Sequence, residues 1–161
     1  MNGSTLPLYT NEVSQDYFRE YDQQRFTEEQ LASFNEGTRE RVQQQQVYLE
    51  NHPPIAIYRL ATEGSQTRDG GVIKSASAGH TIGLDNGQLV RVAQKGDSVV
   101  YADGSTAKIV TGAGESNSNI ALVGSRLCNG DEIINTPQRG VQMLARKGVP
   151  MAEDFLPALS H

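Results

Sequence analysis

The sequence predicts a mainly β protein of short hairpins carrying an internal, approximately threefold repeat, preceded by a helical N-terminal arm. Three observations predict it. Thirteen of the 16 glycines lie between Gly64 and Gly140, where Val and Ile fall in short runs and Tyr101 is the single aromatic residue. Eight of the ten aromatic residues lie at or before Tyr58, in a stretch that also holds Gln43-Gln44-Gln45-Gln46. Asp-Gly and Asn-Gly pairs punctuate the glycine-rich part at 69–70, 86–87, 103–104 and 129–130, and such pairs tolerate the positive φ angles of tight hairpin turns. The 161 residues suffice for one domain, or a small domain with arms.

The arm reads as helical. Ser14 caps a short helix that puts Tyr17, Phe18 and Tyr21 on one face. Thr27-Glu28-Glu29-Gln30 fits a capping box, with Thr at the cap and Gln three residues on. Leu31 and Phe34 begin an apolar face that Gly37 weakens. Thr38 to Glu50 continues it with Val42, Gln45 and Leu49 on one narrow stripe. His52-Pro53-Pro54 ends the helix, because proline pushes the residue before it out of helical angles.

The glycine-rich part reads as strands at 72–74, 80–84, 88–92, 98–101, 107–110, 119–123 and 132–134, each β-branched and bounded by turn residues. Gly140 to Lys147 reads as a short helix ended by Gly148 and Pro150, with Phe155, Leu156 and Leu159 as anchors beyond it.

A repeat underlies this part. Gly64-Ser65-Gln66-Thr67, Gly96-Asp97-Ser98-Val99 and Gly124-Ser125-Arg126-Leu127 share Gly, a small polar residue, any residue, then Thr, Val or Leu, with starts 32 and 28 residues apart. Each precedes an Asx-Gly turn and a short aliphatic run. Their recurrence in order predicts three copies of a strand–turn–strand unit.

Over Tyr58 to about Arg139 these motifs resemble the PAAR-repeat family, the tip proteins of type VI secretion spikes. Gly64, Thr67, Gly70 and Gly71 look like the family's first element. Gly87-Gln88-Leu89-Val90-Arg91-Val92, followed by Gly96-Asp97, looks like its hairpin with Arg91 retained. Asn119 to Ser125 looks like the second copy, with Gly124 but without the arginine. The resemblance implies a small cone of short β-hairpins whose base sits on a trimeric valine-glycine-repeat (VgrG) spike, one copy per trimer, with its point toward the target membrane. It makes Gly64, Thr67, Gly70, Gly71, Arg91, Gly96, Asp97 and Gly124 structural motif residues. Family members commonly bind zinc near the point through three His and one Cys. Here Asp69, Tyr101 and Asp103 stand at three of those places, Cys128 lies one residue from its own, and Ala93-Gln94-Lys95 is inserted. The expectation is therefore a tip without a cofactor or metal.

Other chemistry is sparse in the sequence. A lone cysteine in a β domain is most often a small buried hydrophobe, and Cys128 is expected to be one. His80 begins a strand, and no His-x-His or Cys-x-x-Cys spacing exists. Asp69, Asp103 and Asp131 adjoin turn glycines and read as turn residues rather than an acid–base cluster. Gly112-Ala113-Gly114 lacks the Lys-Ser/Thr of a phosphate loop, and Ser125 lacks the Gly-x-Ser-x-Gly frame of a hydrolase. The eight rings of the first part need a cover: either they pack onto the side of the β part or they bind another protein, and Tyr17, Phe18 and Tyr21 are the residues expected to bind a partner.

Net charge of −5 argues against nucleic acid or an anionic membrane as the main partner, and apolar runs of about four residues argue against stable membrane insertion. The start of the sequence has no basic and apolar leader. The expected organisation is a helical extension over 1–54, a PAAR-like β-cone over 55–139 and a short tail over 140–161. The expected role is non-enzymatic: a cap for the spike and an adaptor for a toxic effector, made in the cytoplasm and exported through the secretion apparatus. The alternative is a small β-rich enzyme or ligand-binding module.

Overall fold

Three helices begin at side-chain caps. In the computed structural model, which describes residues 7–23 and 26–157, α1 (Gln15–Tyr21) starts where the Ser14 hydroxyl accepts the Tyr17 amide. Helix α2 (Glu28–Ser33) starts at a full Thr27–Gln30 capping box. Helix α3 (Glu36–Asn51) starts where Asn35 accepts the Thr38 amide, and it ends at His52, before the two prolines. Phe34 and Asn35 separate α2 from α3 in extended backbone, so the apolar face at Leu31 and Phe34 is interrupted. No residue of α1, α2 or α3 is buried.

The remainder is sheet-rich but broken into short pieces. Strand β1 (Pro54–Arg59) pairs with β6 (Gln142–Arg146), β2 (Thr81–Gly83) with β3 (Leu89–Arg91), and β4 (Ser98–Val100) with β5 (Thr106–Lys108). The last two pairs are antiparallel, with Ile82 opposite Val90 and Val99 opposite Ala107. The expected strands at 72–74, 119–123 and 132–134 are single bridges instead, such as Val72 with Val100, Gln94 with Ile120 and Arg126 with Glu132. The expected helix over Gly140 to Lys147 is the strand β6. Its local periodicity suited a helix, but pairing with β1 supplies the backbone partners. Strand β1 has no start signal of its own in the sequence, because the two prolines mark only the stop of the helix before it. Pro54 sits at the strand's first position, where proline is tolerated.

Two compact units result. Residues 7–11, 58–143 and 151–157 form the β unit, and residues 12–23, 26–57 and 144–150 form the second. The termini of the described chain pack into the β unit by backbone bonds: Tyr9 pairs with Thr136, and Phe155 pairs with Gly112. Asn11 adds a side-chain bridge, accepting the Arg59 amide and donating to the Val123 carbonyl at 2.8 Å each.

The core of the β unit is a set of small and branched side chains: Ala61, Ile73, Ala93, Val99, Ala107, Ile109, Ala121, Leu127 and Ile133. Three of them are joined through their backbones. The Ala61 amide donates to the Ala121 carbonyl, Ala121 to Ala93, and Ala93 to Ala61, each at 2.9 Å. The cycle closes on itself. Alanine at all three places lets the backbones approach, and all three are fully buried.

Candidate functional site

The Gly-Ser/Asp segments are built alike. The amides of Gly64, Gly96 and Gly124 donate to the carbonyls of Ile73, Ile109 and Ile133 at 2.8 Å. The same isoleucines return bonds to the carbonyls of Ser65, Asp97 and Ser125 at 2.9 Å. The small polar side chain then accepts an amide three residues upstream: Ser65 from Thr62, Asp97 from Gln94, and Ser125 from Leu122. All three glycines have φ between 93° and 108°, a region that favours glycine. The motif is thus a turn with its acceptor built in.

The other motif residues are also placed in backbone roles. Thr67 is buried, and its hydroxyl accepts the Gly71 amide at 2.8 Å. Gly70 turns at φ 91°. A Cβ at Gly71 would stand 3.0 Å from both the Thr67 hydroxyl and the Tyr101 ring. Arg91 donates through Nη1 to the Ala78 carbonyl, while its amide donates to Glu63. Asp97 also accepts the amide and hydroxyl of Ser77.

The turns at Asp69-Gly70, Asp103-Gly104 and Asn129-Gly130 line one open depression, together with Tyr101, Ala102 and Ser105. Beneath it lies Asp131, with no exposed surface. One carboxylate oxygen accepts the Asp69 amide at 3.1 Å and the Glu132 amide at 2.7 Å. The other accepts the Tyr101 hydroxyl at 2.6 Å. Asn129 donates to that hydroxyl at 3.0 Å and accepts the Asp131 amide at 3.0 Å. Burial alone would push the Asp131 carboxyl up. Hydrogen bonds from Thr67, Tyr101 and the amides of Glu132 and Asp69 outweigh it and hold the carboxyl below its ordinary value. Burial pushes the Tyr101 hydroxyl up, against the Asn129 bond and with help from the adjacent Asp131.

Asp131 is therefore more than the turn residue expected from its place beside Gly130. Asp103 does hold its own turn, accepting the amide and hydroxyl of Ser105. Cys128 is exposed rather than buried, because Leu127 beside it takes the core position; its sulfur accepts the Lys108 amide at 3.4 Å. His80 is exposed. Among the described residues no three His, Cys, Asp or Glu side chains are grouped to hold a metal ion. The residues at the turns do not fit zinc: both Asp131 oxygens are engaged by donors, Tyr101 is held protonated, and no imidazole or thiolate takes part.

In the second unit, Tyr17 stacks edge-on to Phe18 and lies 6.1 Å from Tyr21. Tyr21, Phe26, Val42 and Leu49 border a cavity of 430 Å³ whose polar wall includes Arg41 and Arg146. Arg146 forms a two-pronged bond to Asp22 at 2.7 and 2.8 Å, and that bond raises its basicity. Asp22 and Arg146 are 124 residues apart, and no local signal in the sequence connects them. Among the described residues no helix is long and apolar enough to cross a membrane. Comparison with protein-family models, curated proteins and solved structures finds no match to this chain.

Proposed function

We propose that this chain is a non-enzymatic spike-tip protein of PAAR type. The β unit would be a cone of three quasi-equivalent repeats. Its base would cap a trimeric valine-glycine-repeat (VgrG) spike of a type VI secretion machine, one copy per trimer. The observation that carries the reading is the closed cycle of bonds among Ala61, Ala93 and Ala121. Those residues are spaced by the same 32 and 28 positions as the Gly-Ser/Asp segments. Bridges beside the cycle follow the same order: Leu60 with Leu122, Thr62 with Val92, and Gln94 with Ile120. A single chain with three like sides matches the end of a three-chain β-helix and covers its open strand edges.

Within this reading the second unit serves as an adaptor. Tyr17, Phe18 and Tyr21 would grip an effector or the spike flank, and the chain would leave the producing cytoplasm through the apparatus. The test is co-expression with a VgrG trimer and native mass measurement. A complex of one chain per three spike chains is expected. No complex, or equal stoichiometry, overturns the proposal.

A further inference from the structure

We propose that the buried Asp131 carboxylate, not a metal, is the staple that holds three turns of the β unit, those at 69–70, 103–104 and 129–130, together. The turns at 69–70, 103–104 and 129–130 come from widely separated parts of the chain. Asp131 directly follows the third turn and is reached from the other two by different donors. The first turn gives the Asp69 amide, the second gives the Tyr101 hydroxyl from the strand end just before it, and the neighbouring Glu132 amide adds a local bond. Arg68 bonds the Gly130 carbonyl at 3.1 Å and brings its charge to 4.0 Å from the carboxylate. An ionised carboxylate out of water is costly unless its lone pairs are met, and here both oxygens are. Charge-assisted bonds are the strong kind, and this side chain adds them to the bonds by which Arg68 and Asn129 also cross between the loops. A cation at this point would have to displace those donors. The staple does not depend on what the β unit docks on.

The test uses the full chain with Tyr101→Phe, Asp131→Ala and the double variant, each melted with EDTA and with added zinc chloride. Amide exchange at Asp69 is followed in parallel. The wild-type midpoint should be the same in EDTA and in zinc. Tyr101→Phe should lower it by about 3–10 °C and speed exchange at Asp69, although residue 101 is far from it in sequence. In the Asp131→Ala background Tyr101→Phe should lower the midpoint by less than it does in the wild type, because the hydroxyl has by then lost its acceptor and keeps the bond from Asn129. If Asp131→Ala does not fold, Tyr101→Phe and the Asp69 exchange rate decide the matter. A wild-type midpoint that falls in EDTA, or Asp69 exchange unmoved by Tyr101→Phe, overturns the proposal.

Discussion

A buried amide needs an acceptor, and in this chain a serine three residues downstream supplies it. Ser65 and Ser125 are fully buried and meet the amides of Thr62 and Leu122. Ser125→Ala should cost about 1–3 kcal/mol, the penalty for leaving a buried donor unmet, read as a lower denaturant midpoint at unchanged slope. Glycines fall into two kinds. At Gly87, φ is 87° and the space for a side chain is open, so Gly87→Val should cost about 1–3 kcal/mol through backbone strain alone. At Gly112, φ is ordinary but a Cβ would stand 2.7 Å from the Ile120 carbonyl oxygen. Gly112→Ala should therefore destabilise by contact, and a smaller residue at position 120 should not relieve it, because the clash is with backbone. Asp131 and Tyr101 set a pH window. The depressed Asp131 pKa contributes stability above the unfolded carboxyl value of about 3.8, lost as pH falls below it. The raised Tyr101 pKa contributes stability below about 10, lost as pH rises through its folded value. The contribution of these two groups to the midpoint should be flat between these limits, and Tyr101→Phe should remove the alkaline fall due to this residue.

At the scale of elements, caps and turns were legible in the sequence because their partners are local. Ser14, Thr27 with Gln30, and the Gly87 turn each act within four residues. Strands were legible as apolar runs but not as ladders, since whether Val72 or Ile120 belongs to a strand or a single bridge depends on a distant chain segment. Strand β6 is the same case: its own sequence has helical periodicity, and the partner that makes it a strand, β1, lies more than 80 residues away. The Asp22–Arg146 pair was invisible on the same ground. It joins the end of α1 to the end of β6 within the second unit, both side chains 17% exposed. None of the helices buries a residue, and the buried side chains of this unit, Ile57 and Ala145, lie on β1 and β6, so the tie from α1 to β6 is one of the links between its helices and its strands. Arg146→Ala should lower its stability by about 1–3 kcal/mol, between the values for surface and buried pairs. The loss includes the bond from Arg146 to the His52 carbonyl. A double-mutant cycle with Asp22→Ala should return a coupling of about 1 kcal/mol or more; independent effects would show that the pair is ornamental.

For the whole molecule, the partition between arm and β unit decides what a truncation removes. Residues 55–139 hold the alanine cycle and the Asx-Gly turns, so a chain beginning at Ile55 keeps the buried cluster around Ile73, Ile109 and Ile133. It loses residues 7–11, however, and these belong to the β unit. Tyr9 and Thr136 exchange two backbone bonds at 2.8 and 3.0 Å, and Asn11 meets the Arg59 amide and the Val123 carbonyl. Arg59, itself buried, loses its bond to the Thr10 carbonyl but keeps the one to Arg139. The truncated chain should therefore fold with a lower midpoint rather than fail, and Asn11→Ala in the full chain should reproduce part of that loss. The rings of α1 enter differently. Tyr17→Ala, Phe18→Ala and Tyr21→Ala together remove a cluster with no buried member, so the midpoint should move by less than in the truncation. If those rings grip a partner, the triple variant should lose that partner while the β unit still melts as in the full chain. A triple variant that unfolds the β unit, or a truncation that melts unchanged, would show that this division of labour is wrong.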